Sequence, residues 1–117
     1  MSQRFATVFE VEDTGTETVV RFIGQKVRLS DQHLHIMEDQ LPRLISEYSR
    51  AEIVLNLSNV ECLASTTLGC LVRLHEKLNR MGGRLSIDRM TPYVRHLFEL
   101  ANLRRVFDLD SLPDPVG

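Results

Sequence analysis

Ile53-Val54-Leu55-Asn56-Leu57 is an apolar run too short for a helix, and Asn56 is its only polar member. A strand of this kind is buried on both faces, so the sheet containing it must be covered on both sides. The pattern then changes period. After the polar pair Ser58-Asn59, the hydroxyl residues Ser65-Thr66-Thr67 open a stretch in which Leu68, Leu71, Val72, His75 and Leu78 share one helical face, with Leu74 at its edge. This predicts a helix from Thr66 or Thr67 to Met81, stopped in the left-handed conformation by Gly82-Gly83. A short strand, Arg84 to Ile87, follows. Strand, helix and strand in succession define an α/β unit with parallel strands.

The flanking segments extend the same architecture. Phe5 to Val11 alternates as a strand with one better buried face, Glu12 to Thr16 forms a turn, and Thr18 to Ile23 is the antiparallel partner, ended by Gly24. Ser30 or Asp31 caps a helix carrying Leu34, Met37, Leu41, Leu44, Ile45 and Tyr48, which Pro42 should kink or shorten. Thr91-Pro92 starts a further helix with Val94, Leu97, Phe98 and Ala101 inward and Asn102 at its end. Leu103 to Leu109 returns as a short extended or helical segment. The expected fold is α/β, a four- to five-stranded mixed sheet flanked by helices, with one domain over residues 1–112 and a flexible tail over 113–117.

Composition narrows the function. The 117 residues carry a formal net charge of −2, with basic residues scattered among acids, which argues against a nucleic-acid footprint. Met1 to Phe5 has no apolar signal core, and no run approaches the about 20 apolar residues of a membrane span. A cytoplasmic protein bound to neither nucleic acid nor membrane is expected. Cys62 and Cys70, without a CxxC pair, are expected as buried free thiols; His33 and His35, two apart on a helix, point to different sides and share no metal. His75 fits a core edge, Asp88-Arg89 a solvated loop, and Arg104-Arg105 surface charge. No catalytic constellation, Gly-rich phosphate loop or cofactor site can be read from the residues.

The hydroxyl run is where the chemistry concentrates. Unpaired N–H groups at a helix start lie at the positive end of the helix dipole and stabilise a phosphate. From the pattern alone Ser65 is an N-cap worth about 1 kcal/mol, and the same position is compatible with a phosphate.

Ile53 to Val60 followed by Leu63-Ala64-Ser65-Thr66 resembles the signature of STAS domains, the sulfate transporter and anti-sigma factor antagonist family. Gly82-Gly83-Arg84-Leu85, Thr91-Pro92 and Leu97 to Phe107 also fall where that family has similar residues, so the resemblance covers nearly the whole chain. It implies a non-enzymatic switch protein, an anti-sigma factor antagonist. Such a protein binds a serine kinase of the GHKL type that doubles as an anti-sigma factor, and releases it once its own loop is phosphorylated; a serine phosphatase resets it. By motif position the phosphosite is Ser65, with Thr66 the second choice. The implied partner surface comprises Gly24, Ser58, Asn59, Ala64, Ser65, Thr66, Thr67 and Leu68, on a monomer or weak homodimer. Alternatives within the same fold are an unphosphorylated scaffold and a small-molecule sensory domain.

Four positions depart from the family pattern. Ala64 replaces the loop aspartate, Thr67 the loop glycine and Asn56 the strand-end aspartate, while Arg28 stands where an acid is common after the second strand.

Overall fold

The structure is a computed structural model that describes residues 2–5, 9–48 and 52–112; the side chains of residues 2–5, 44, 47 and 48 lie outside the description, as does the expected tail at 113–117. Strands β1 (Ser2–Phe5), β2 (Phe9–Asp13) and β3 (Thr18–Phe22) form an antiparallel meander, with Phe5 opposite Phe9 and Val11 opposite Val20. Strand β4 (Val27–Leu29) and helix α1 (Asp31–Tyr48) follow. Then come β5 (Glu52–Leu57), β6 (Val60–Leu63), α2 (Ser65–Arg80), β7 (Arg84–Met90) and α3 (Pro92–Leu100), ending in a short 3-10 turn, Leu109–Ser111.

The main sheet has the order β1-β2-β3-β5-β7, antiparallel over its first three strands and parallel from β3 through β5 to β7. This is the expected five-stranded mixed sheet. In β5, Ile53 through Leu57 are all buried, as an interior strand covered on both faces requires. Phe9, Phe22, Leu34, Leu41, Leu55, Leu71, Leu78 and Phe98 form a single core. Helices α1 and α2 pack together, α2 also lies on β7, and α3 lies on β6. No helix among the described residues is long and apolar enough to cross a membrane.

Several expectations need correction. The strand expected from Phe5 to Val11 is two strands, β1 and β2, because alternation has the same period on either side of a reversal. Pro42 does not shorten its helix, which runs unbroken from Asp31 to Tyr48. On α2, Leu74 is central and fully buried, whereas Val72 and His75 are half-buried at the margin. Ala101 is exposed at the C-cap of α3, and Asp88 and Arg89 lie within β7. Strands β4 and β6, not expected from sequence, pair in parallel as a separate two-stranded sheet.

The helix ends follow local chemistry. At the close of α2, Gly82 has φ +82 and donates its N–H to Asn79, while the Gly83 N–H reaches back to Leu78. This pair of bonds satisfies the last carbonyls through a left-handed residue. Asn102, at φ +60, does the same for α3. A Cβ on Gly83 would strike the Ile45 side chain of α1, so that turn is also a close approach between elements.

Candidate functional site

The chain enters the site through Asn56. Its side chain is buried, 7% exposed, and its Oδ1 accepts the Ser58 N–H at 3.0 Å, bending the backbone as β5 ends. An aspartate could make the same bond only at the cost of burying a charge; asparagine makes it neutral. Asn59 then ties two loops together. Its side-chain amide nitrogen donates to the carbonyls of Phe22 at 2.6 Å and Gly24 at 2.9 Å, and its main-chain carbonyl accepts from Val27 N–H at 2.8 Å. Gly24, at φ +118, supplies the left-handed turn that brings those carbonyls to the amide. Ser58 and Gly24 are exposed, whereas Asn59 is half-buried and committed to backbone.

From there β6 carries the chain along β4, in register Val27 with Val60 and Leu29 with Leu63. The four residues of β6 span about 13 Å at strand rise. The expected partner surface is thereby divided: Gly24, Ser58 and Asn59 sit at one end of the two-stranded sheet and Ala64, Ser65 and Thr66 at the other. Arg28, at the position where an acid was expected, faces Glu61 at 3.7 Å; both side chains are exposed, so the pair contributes little.

Helix α2 begins differently from the capped helix expected at Ser65. Its N-cap is Ala64, extended at φ −85 and ψ 160, with no side-chain cap. Ser65 is the first helical residue and is exposed, as is Thr66. The expectation that Ser65 or Thr66 caps the helix is therefore corrected. Thr67 and Leu68 are withdrawn from the surface, 1% and 6% exposed. A residue at the third helical position of an amphipathic helix lies on the same side as those three and four further on, here Cys70 and Leu71, both buried. Thr67 stays satisfied in the interior because its hydroxyl donates to Asp31 Oδ1 at 2.9 Å.

That bond brings in residues outside the expected partner surface. Leu29 at the end of β4 and Ser30, Asp31 and Gln32 at the start of α1 line one groove with Ala64, Thr66 and Thr67, and Asp31 is the only carboxylate among them. The β4–β6 pairing places the two helix starts side by side, and nothing local in sequence marks a contact spanning 36 positions. Ser30, just before α1, is bonded to His33 in the first turn. The Ser30 N–H donates to His33 Nδ1 at 3.1 Å, which makes that nitrogen the acceptor, and the Ser30 hydroxyl lies 2.8 Å from the same atom. This serine–histidine contact is a variant of the capping box, with histidine in the place usually held by glutamate or glutamine. Burial, including an edge contact with Phe22 at 5.9 Å, holds His33 below its usual 6.5.

The remaining candidates lie elsewhere. Cys70 is buried and accepts from Arg73 at 2.9 Å, while Cys62 is half-buried; both are free thiols. His35 is exposed on α1. Among the described residues no group of three or more histidine, cysteine or acidic side chains could hold a metal.

A family model, STAS domain, matches residues 9–113. The chain belongs to the STAS domain family. Among curated proteins it is 26% identical over 87 residues to an anti-sigma F factor antagonist of Paenibacillus polymyxa, covering 71% of this chain and 74% of that one. Among solved structures it is similar to the anti-sigma factor antagonist SpoIIAA in its unphosphorylated form, with TM-score 0.69, 19% identity, and coverage of 93% of this chain and 89% of that one. The Bacillus cell fate determinant SpoIIAA in the phosphorylated form gives TM-score 0.63 at 17% identity, covering 93% and 92%. At such identities these structures establish a shared fold.

Proposed function

We propose that the protein is a cytoplasmic anti-sigma factor antagonist, a non-enzymatic regulator that binds an anti-sigma factor. In this reading the partner is a GHKL-type serine kinase, phosphorylation of Ser65 releases it, and a serine phosphatase restores binding. The observation that carries the proposal is the open start of α2: an exposed serine at the first helical position, next to an N-cap that offers no side chain of its own. The curated relative named as an anti-sigma F factor antagonist supports the partner class.

The physics is consistent. A phosphoserine adds about −1.5 to −2 charge, which the dipole of α2 tolerates within the domain. Against an apolar or acidic partner surface the same charge must be desolvated or repelled, and a loss of about 2.7 kcal/mol is a hundredfold in affinity. Ser65 is preferred over Thr66 because Thr66 shares its groove with the Asp31 carboxylate, whereas Ser65 does not line it. Thr67 is excluded as an acceptor by burial.

Incubation with ATP and the purified GHKL kinase of the same organism, followed by intact-mass and fragment analysis, tests the reading. One phosphate on Ser65 is expected, along with binding weakened about a hundredfold by Ser65→Asp. An unmodified mass together with unchanged binding by Ser65→Asp would overturn it.

A further inference from the structure

The exposed hydroxyls of α2 do not stand alone. Asp31, in the first turn of α1, holds the Thr67 hydroxyl at 2.9 Å, and Thr67 itself is buried at the foot of the same helical turn that presents Ser65 and Thr66. The bond joins two helix starts that the short β4–β6 pairing also brings together. Gln32, which lines the groove between the two helix starts, also lines a second cleft with His33, His35 and Ile36. Gln32 and His35 are exposed and Ile36 is half-buried.

We propose that the partner-binding surface is composite, spanning the first turns of both α1 and α2, with Asp31 as the positioning residue that holds the two turns in register through Thr67. The inference rests on the functional reading above, and its occupant is the same anti-sigma factor. The loop has alanine at position 64, so the carboxylate bordering the hydroxyl run is supplied by a different element. The bond joins side chains, so it is lost when either residue is truncated, and losing both residues costs no more than losing one. Gln32, at the junction of the two clefts, touches the partner directly in this arrangement, whereas Asp31 acts through Thr67.

The test measures affinity for the purified GHKL kinase of the same organism, with melting temperature followed in parallel. Asp31→Ala and Thr67→Val are each expected to weaken binding about tenfold, the double variant no further, and Thr67→Ser to stay within about twofold of the parent. Asp31 is exposed, so its freed carboxylate returns to water and the Thr67→Val domain folds. Gln32→Arg, on the surface, is expected to weaken binding about tenfold at an unchanged melting temperature, a result that loss of folding alone does not give. Multiplying effects in the double variant, or Gln32→Arg binding within about twofold of the parent while Ser65→Asp still weakens it, would overturn the composite surface and leave the functional reading standing. A kinase that fails to bind the parent chain, or binds it and the Ser65→Asp variant equally, would remove the functional reading and this inference with it.

Discussion

The starts of α2 and α3 are built on opposite terms. Helix α3 opens with Thr91 extended at φ −71 and ψ 159, its side chain accepting the Val94 N–H at 3.3 Å, and Pro92 follows where a missing N–H costs nothing. Helix α2 opens from nearly the same backbone, at Ala64, with no side chain able to cap it. At α3 the Thr91 side chain takes up the Val94 N–H, whereas at α2 the Thr67 N–H turns to the Ala64 carbonyl and no side chain caps the turn. A local rule obeyed at α3 and broken at α2 is consistent with the binding role proposed for the α2 start.

The largest expected effect separates these two roles at α2. Ser65→Asp should reduce partner affinity about a hundredfold while leaving the domain equally stable or about 0.3–1 kcal/mol more stable, since a carboxylate in the first turn favours the dipole. Calorimetric titration and thermal melting on one preparation measure both. A large drop in melting temperature would mean that Ser65 is structural after all. At α3 the balance should reverse. Thr91→Ala removes a cap and is expected to cost about 1 kcal/mol of stability, with partner affinity unchanged; denaturant unfolding at constant slope checks it.

Converting one start into the other sharpens the contrast. Ala64→Asp gives α2 the cap it lacks, in a backbone already extended as an N-cap requires. The expected gain is about 1 kcal/mol, seen as a rise of about 4 °C in melting temperature. A variant that is no more stable would show that the Ala64 carbonyl already serves the Thr67 N–H as well as a side-chain cap would.

The same contrast explains what could be read from the sequence. The two-sided burial of β5, the stops at Gly82 and Asn102, and the Thr91-Pro92 start each depend on residues adjacent in the chain, and each was legible. Strands β4 and β6 were not, because three and four residues carry too little periodicity to distinguish strand from turn. Their pairing decides the site. It separates Asn59 from Ser65, and it draws Ser30, Asp31 and Gln32 to the α2 start. Thr67 belongs to the surface that the family resemblance implies, yet it lies on the buried face of α2, and the partner that satisfies its hydroxyl there, Asp31, is 36 positions away.

The start of α1 provides the smallest and most specific test, since its cap depends on protonation. His33 Nδ1 accepts the Ser30 N–H and so must be unprotonated, and burial holds the ring below its usual 6.5. With the folded-state value depressed, the unfolded chain binds the proton more readily as pH falls, so stability declines with it. The contribution is fully present above pH 6.5 and is lost as pH falls through the folded-state value. His33→Gln keeps an acceptor at the same helical position, as a capping box uses, but cannot titrate. Its stability at pH 7.5 should lie within about 0.5 kcal/mol of the parent, and its profile between about pH 5 and 7 should be flatter than the parent's. Urea unfolding across that range decides the point. Identical slopes in the two proteins would assign the acid sensitivity to other groups.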